Sequence, residues 1–273
     1  MKGKLWPRLV VGVAALALVG GVVGFMFWER QPAEPAPNNV AETISADELG
    51  RAAQVTTFFG HMSVGNNILS GLKQLHQAKS VAQPEVLKIE PGDPTPQLSD
   101  GGTLVHALIG PNGDPEAKLA NFDAALRAGL ADQVDVALIK FCYLDVTKNT
   151  DVEALFRDYQ ATLDGLERDY PEIRFLHTTV PVTTPPSGIK ANLKALLQGQ
   201  DNPAREQYNA LVRAAYPADR LLDVAAVEGT APDGTRRPEL YPGYSNDGSH
   251  LNPTGSALVA ADFVRLLGDG ADN

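Results

Sequence analysis

Val55-Thr56-Thr57-Phe58-Phe59-Gly60-His61-Met62-Ser63-Val64-Gly65-Asn66-Asn67 is the stretch on which the fold turns. Val55 to Phe59 is β-branched and aromatic, the composition of a short buried strand. Beyond it, Val64, Ile68, Leu72 and Leu75 fall at helical spacing, which predicts a helix over Val64 to Gln77. A strand that runs through one small loop into a helix is the opening of a crossover unit, and Ser63 stands at the junction. A serine there projects from the end of the strand. The first N–H groups of the helix lie beside it without intrahelical partners.

The same alternation continues along the chain. Val86 to Ile89 reads as a second strand, followed by a loop rich in Gly, Pro and Asp to about Gly113. Ala117 to Leu130 reads as a helix through Leu119, Phe122, Leu126 and Leu130. Val134 to Phe141 is a strand, and Thr150 with Glu153 makes a capping box that opens a helix to about Tyr170. Ile173 to Val182 contains a fourth strand, Ala204 to Ala215 a helix, and Leu221 to Val224 a short fifth strand. Asn252 and Pro253 have the character of an N-cap and first residue of a last helix through Leu258, Phe263 and Leu266. Alternating strands and helices imply crossover connections, hence a five-stranded parallel sheet with helices on both faces. In such sheets ligands bind beyond the carboxyl ends of the strands.

Composition bounds the rest. The 273 residues suit one ordinary domain with a tail, and 44% hydrophobic with 21% charged residues is normal for a globular chain. A net charge of −10, with no dense Lys/Arg cluster, gives no electrostatic reason to bind nucleic acid. Cys142 is the single cysteine, so no intramolecular disulfide forms. No H-x-x-x-H or C-x-x-C spacing points to a metal, and Gly110-Pro111-Asn112-Gly113 lacks the lysine of a phosphate loop. No cofactor is expected.

Lys2, Lys4 and Arg8 precede an apolar run from Leu9 to Trp28. A run of about 20 residues at ~1.5 Å each spans a hydrocarbon core. Basic residues before it predict an N-terminus inside and the remainder translocated. A cleaved signal peptide is the rival reading, but its apolar region is shorter and ends at a small-x-small site, whereas this run ends in aromatic residues. The expected organisation is a single-pass anchor over 1–30, its helix over 9–28, a Pro-rich linker over 31–44, and a catalytic domain over 45–270. That places the domain in the periplasm or outside the cell. Ser45 and Glu48 form a capping box at the start of the domain.

A second chemical segment is Ser245-Asn246-Asp247-Gly248-Ser249-His250-Leu251-Asn252. One tight turn at Gly248 brings the Asp247 carboxylate to an imidazole nitrogen of His250. The other nitrogen is left free to take a proton from a serine. Serine, histidine and carboxylate are the minimum for acyl transfer near neutral pH. Each residue also has an ordinary reading: Ser63 as a helix cap, Asp247 as an Asx-turn residue. Cys142 reads as a buried small hydrophobe, with a thiol nucleophile paired to His250 or His61 as the alternative. Lys140, within a buried strand, needs a partner; Asp145 is one candidate, with capping of a turn as its alternative role. His61 either meets substrate or fills space under the loop. His177 is a packed strand-end histidine that could line the site, and His76 and His106 are incidental.

A strand-one serine entering a helix, and Asp-x-x-His before the final helix, resemble the first and last motif blocks of the SGNH (GDSL-type) hydrolase superfamily. The resemblance runs over about Val55 to Leu267. It implies a flavodoxin-like three-layer α/β/α fold and esterase or lipase activity, often deacetylation of carbohydrates. Ser63 would then be nucleophile and first oxyanion donor, His250 the general base, and Asp247 its orienting acid. The glycine donor of the second block falls on Gly113. The third block, Gly-x-Asn-Asp, stands here as Cys142-Tyr143-Leu144-Asp145, with Leu144 in place of the donor asparagine. Asn66, Asn67, Asn112 or Lys140 are the substitutes within the same segments. The expected partner is an ester-bearing small molecule or an O-acylated glycan. The alternative is a catalytically silent module that binds a glycan or an envelope protein.

Overall fold

The structure, a computed structural model, describes residues 40–98 and 101–269. The expected membrane helix over 9–28, and the linker as far as residue 39, lie outside the described residues. No helix among the described residues is long and apolar enough to cross a membrane.

Six strands form one sheet: β1 (Thr57–His61), β2 (Glu85–Ile89), β3 (Thr103–Leu108), β4 (Val136–Ile139), β5 (Arg174–Thr178) and β6 (Leu221–Leu222). Their order is β2-β3-β1-β4-β5-β6, and every neighbouring pair is parallel. Without the edge strand β2, this is the 2-1-3-4-5 order of a flavodoxin-like sheet. The sheet therefore has six strands where the sequence predicts five. The addition is β3, whose residues read as loop because glycines flank them and His106 breaks the apolar run. Pairing with β2 on one edge and β1 on the other decides the matter, a tertiary override of local preference.

The alternation of side chains along β1 separates two cores. Phe59 faces α1 (Ala46–Ala52), α2 (Ser63–Lys79) and α8 (Pro253–Asp269) through Leu49, Ile68 and Phe263. Phe58 faces α3 (Pro115–Ala125), α4 (Val152–Asp169) and α6 (Asn202–Ala215) through Phe122, Leu163 and Tyr208. All five residues of β1 are buried, as a central parallel strand covered on both faces must be.

The capping box at Ser45 and Glu48 forms reciprocally at the start of α1. The one expected at Thr150 and Glu153 does not. Asp151 is the N-cap of α4, accepting from Ala154 N–H, while the Thr150 hydroxyl accepts from Thr147 N–H. Asn252 accepts from the N–H groups of Thr254 and Gly255 at the start of α8. A short helix, α7 (Val224–Gly229), follows β6.

The chain divides into two units. Glu34–Pro185 with Gln200–Asn273 holds the sheet. Of the other, Met1–Ala33 with Pro186–Gly199, only 186–199 are described. That segment contains α5 (Ile189–Gln198), on which Leu193, Leu196 and Leu197 are exposed.

Candidate active site

Ser63 is the first residue of α2, directly after β1. The N-cap position is held by Met62, whose side chain makes no capping bond. The hydroxyl of Ser63 makes no hydrogen bond among the described residues, so it is not a cap. The ordinary reading of this serine loses its basis. An uncapped helix start leaves N–H groups directed beyond the sheet, where negative charge is favoured.

The Asp247–His250 turn is closed on itself. Ser245 and Leu251 form an antiparallel bridge, and the Ser245 hydroxyl donates to the His250 carbonyl at 2.6 Å. Gly248 turns the chain at φ +87°. The Nδ1 of His250 lies 2.7 Å from Asp247 Oδ2, while Asp247 Oδ1 accepts from the backbone of His250 at 2.8 Å and of Ser249 at 2.9 Å. Those bonds, the His250 backbone first, hold the Asp247 carboxyl far below the usual carboxylate range. The Asx-turn role and the role of orienting the imidazole are both present. Asp247 as acceptor fixes the proton on Nδ1 and leaves Nε2 as the basic nitrogen.

Two bonds bring this turn to the carboxyl end of the sheet. Leu251 N–H donates to the side-chain oxygen of Asn67, one turn after Ser63 in α2, at 3.2 Å. Thr184 N–H, beyond β5, donates to the Gly248 carbonyl at 2.9 Å. The Tyr143 ring, beyond β4, stands edge-on to His250 with centroids 5.9 Å apart. The two motif turns thus lie at one edge of the sheet. No hydrogen bond joins Ser63 to His250 among the described residues.

Asp145 organises the loops after β3 and β4. It accepts from Gly113 N–H at 2.8 Å, from Cys142 N–H at 2.6 Å and from Lys118 Nζ at 2.6 Å. Lys118 and Asp145 are both fully buried at their side chains. Of the two readings of Asp145, the turn cap is the one that forms, over Cys142, and the pairing with Lys140 is corrected. Lys140 Nζ donates instead to the Phe141 carbonyl at 3.1 Å, and burial lowers its ammonium to about 8. Lys140 is fully buried, as is His61, so neither reaches a substrate as expected. Gly113 N–H, the expected second oxyanion donor, is occupied by Asp145. Asn112 is exposed, with its side-chain oxygen 3.3 Å from Lys118 Nζ, so its NH2 group faces away from the lysine. Asn66 is exposed, whereas Asn67 braces the turn rather than facing open space. Cys142 is fully buried, which leaves the thiol-enzyme alternative without an accessible sulfur. Leu144 is 44% exposed, so the position of the expected asparagine does face outward.

Sequence reasoning passed over Tyr143, Lys118 and Arg205. Arg205 donates through Nε to the Tyr143 carbonyl at 2.8 Å, and its guanidinium lies 5.5 Å from the Tyr143 ring centroid. Tyr143 could have been found, since it sits inside the third motif block. Arg205 and Lys118 lie on helices with no local mark of their task. His177 is a packed strand-end histidine, as expected, its ring lying on that of Tyr216 with centroids 3.3 Å apart. No cluster of three or more His, Cys, Asp or Glu able to hold a metal occurs among the described residues.

No family model and no curated protein matches this sequence. Solved structures do. One is a provisionally assigned platelet activating factor from Streptococcus pneumonia, 14% identical, with a TM-score of 0.48 over 94% of this chain and 99% of that one. Another is a provisionally assigned lipolytic protein of the G-D-S-L family from Desulfitobacterium hafniense DCB-2. It is 15% identical, with a TM-score of 0.43 over 77% and 99%. A third, a provisionally assigned GDSL-like lipase from Parabacteroides merdae, is 16% identical with a TM-score of 0.48 over 79% and 96%.

Proposed function

We propose that this chain is a serine esterase that hydrolyses a carboxylic ester through an acyl-serine intermediate. The observation that carries the reading is the Asp247–His250 bond of 2.7 Å, in a turn that Asn67 ties to the helix opened by Ser63. Ser63 Oγ attacks the ester carbonyl while His250 Nε2 takes the hydroxyl proton. The imidazolium that forms is held by Asp247 through Nδ1–H. The N–H of Ser63, at the uncapped start of α2, faces the developing oxyanion. Collapse expels the alcohol, which takes the proton from Nε2. Water, activated by the same nitrogen, then releases the acid.

Ser63 and His250 are half-buried and Asp247 is exposed. Such an open position suits an ester carried on a larger molecule, such as an O-acetylated carbohydrate. The N-terminal apolar run favours a domain outside the membrane, with a substrate in the envelope or beyond.

A catalytically silent binding module is the second reading. Leu144 in place of an amide donor, and the occupied N–H of Gly113, favour it. Removal of one oxyanion donor costs about 10²–10³ in rate. A fluorophosphonate probe separates the two. Labelling that disappears in Ser63→Ala supports the esterase, and a folded wild type that neither labels nor hydrolyses p-nitrophenyl acetate supports the binding module.

A further inference from the structure

Between β1 and Ser63 stands Met62, whose carbonyl oxygen accepts two hydrogen bonds. Gly65 N–H donates to it at 2.7 Å, and His61 Nδ1 lies 2.9 Å away. A carbonyl only accepts, so the proton of His61 is on Nδ1. Burial keeps the ring neutral, its pKa lowered to about 3, and Nε2 is therefore an acceptor. His106 Nδ1, 3.0 Å from that Nε2, must donate. The direction of the chain is fixed: His106 donates to His61, and His61 donates to the Met62 carbonyl.

The Met62 carbonyl and the Ser63 N–H are the two ends of one planar peptide group. Fixing the direction of one fixes the other. Bonds accepted at the carbonyl also polarise the amide and strengthen its N–H as a donor, by roughly 10–30% per bond. We propose that His61, backed by His106, is a positioning residue that aims and strengthens the Ser63 N–H as oxyanion donor. This rests on the esterase reading.

Filling space is the competing account of His61. Its ring lies 4.6 Å from that of Phe59, and a Cβ on Gly65 would come within 2.2 Å of it. A phenylalanine would fill the same volume without desolvating two imidazoles, and only the hydrogen-bonded chain uses their nitrogens. The site is also short of donors, with Gly113 N–H occupied and Leu144 lacking an amide. The quality of the remaining donor then weighs more in the rate.

The test uses the full chain with His61→Phe, which keeps the ring, and His61→Asn, whose amide nitrogen stands near the Nδ1 position. The expected result for His61→Phe is a kcat on p-nitrophenyl acetate lower by about 10-fold, with KM within about twofold. Fluorophosphonate labelling should slow in parallel, and the Ser63 amide proton should move upfield. His61→Asn should recover part of kcat. A folded His61→Phe with wild-type kcat and an unmoved Ser63 amide overturns the proposal. Should His61→Phe not fold, His106→Phe is read in its place. It removes only the donor to His61 Nε2, with an expected drop of about 2–5-fold, and no drop overturns the relay. If the wild type shows no esterase activity, the esterase reading fails by itself. An unmoved Ser63 amide would show separately that the histidines do not act on this peptide.

Discussion

Asp145 shows what a single buried carboxylate does at the edge of this sheet. Its three donors come from two loops and one helix, so removing any of them leaves charge uncompensated in a dry place. Lys118→Met should destabilise the fold by about 3–5 kcal/mol, because it breaks a buried pair from one side. The double change Lys118→Met with Asp145→Leu should recover part of that loss. Urea unfolding midpoints of the three proteins check both. Asp247 is the opposite case, exposed and bonded within its own turn. Asp247→Asn should leave the unfolding midpoint nearly unchanged and lower kcat by about 10²–10⁴, because the imidazole loses its tautomer and its counter-charge. Ester hydrolysis measured beside thermal unfolding checks that separation. Asp247 and His250 were legible because their partners are three residues apart. Lys118 and Asp145 were not, since the bond spans separate elements and nothing local marks a helical lysine as buried.

α2 and α8 are the elements that bring the two motif turns together, and they touch closely. A Cβ on Gly71 of α2 would lie 2.1 Å from the Ser256 carbonyl of α8. Helix propensity alone favours Gly71→Ala by about 1 kcal/mol. Overpacking against backbone that cannot yield costs about 1–3 kcal/mol and wins. Gly71→Ala should therefore lower the melting temperature. It should also lower esterase activity, because the Asn67–Leu251 bond lies one turn away on the same helix. Calorimetry and ester hydrolysis on the variant check this, and a raised melting temperature would contradict it. Most elements were readable from period and composition, α2 and α8 above all. β3 was not, because six residues with a central histidine carry little pattern, and its strand state comes from pairing on both edges. Asp151 displaced Thr150 as the cap of α4 for a similar reason: the Thr150 hydroxyl is taken by Thr147 N–H in the preceding loop.

At the scale of the whole molecule, buried imidazoles tie stability to pH. Burial lowers both His61 and His177 to about 3. Arg220 adds to the shift at His177, whose Nε2 lies 3.7 Å from Glu167. In the unfolded chain these rings titrate near 6.5. Above that pH both states are neutral and the stability is fully present. Between about 6.5 and 3 only the unfolded chain takes up protons, so stability falls as pH falls. The loss from pH 7.5 to pH 5 should be on the order of 1–2 kcal/mol per ring. Urea midpoints at the two pH values check it, and His177→Phe should flatten the dependence. Glu228 works against this slope: burial raises its carboxyl to about 8, so between about 4.5 and 8 the folded chain keeps a proton that the unfolded chain has released, and that contribution falls as pH rises. Glu228→Gln beside His177→Phe separates the two contributions.

What the sequence determined by itself was local: the strand-to-helix junction at Ser63, the Asp247–His250 turn, and the alternation that demands a parallel sheet. Each depends on residues within one turn or one period of each other. The tertiary structure alone decided that β3 enters the sheet, that Asp145 takes Lys118 and the Gly113 N–H, and that two histidines stack behind the Met62 carbonyl. Those outcomes depend on which buried groups meet across elements tens of residues apart. The cost of leaving any of them unpaired, rather than a local preference, selects the partners.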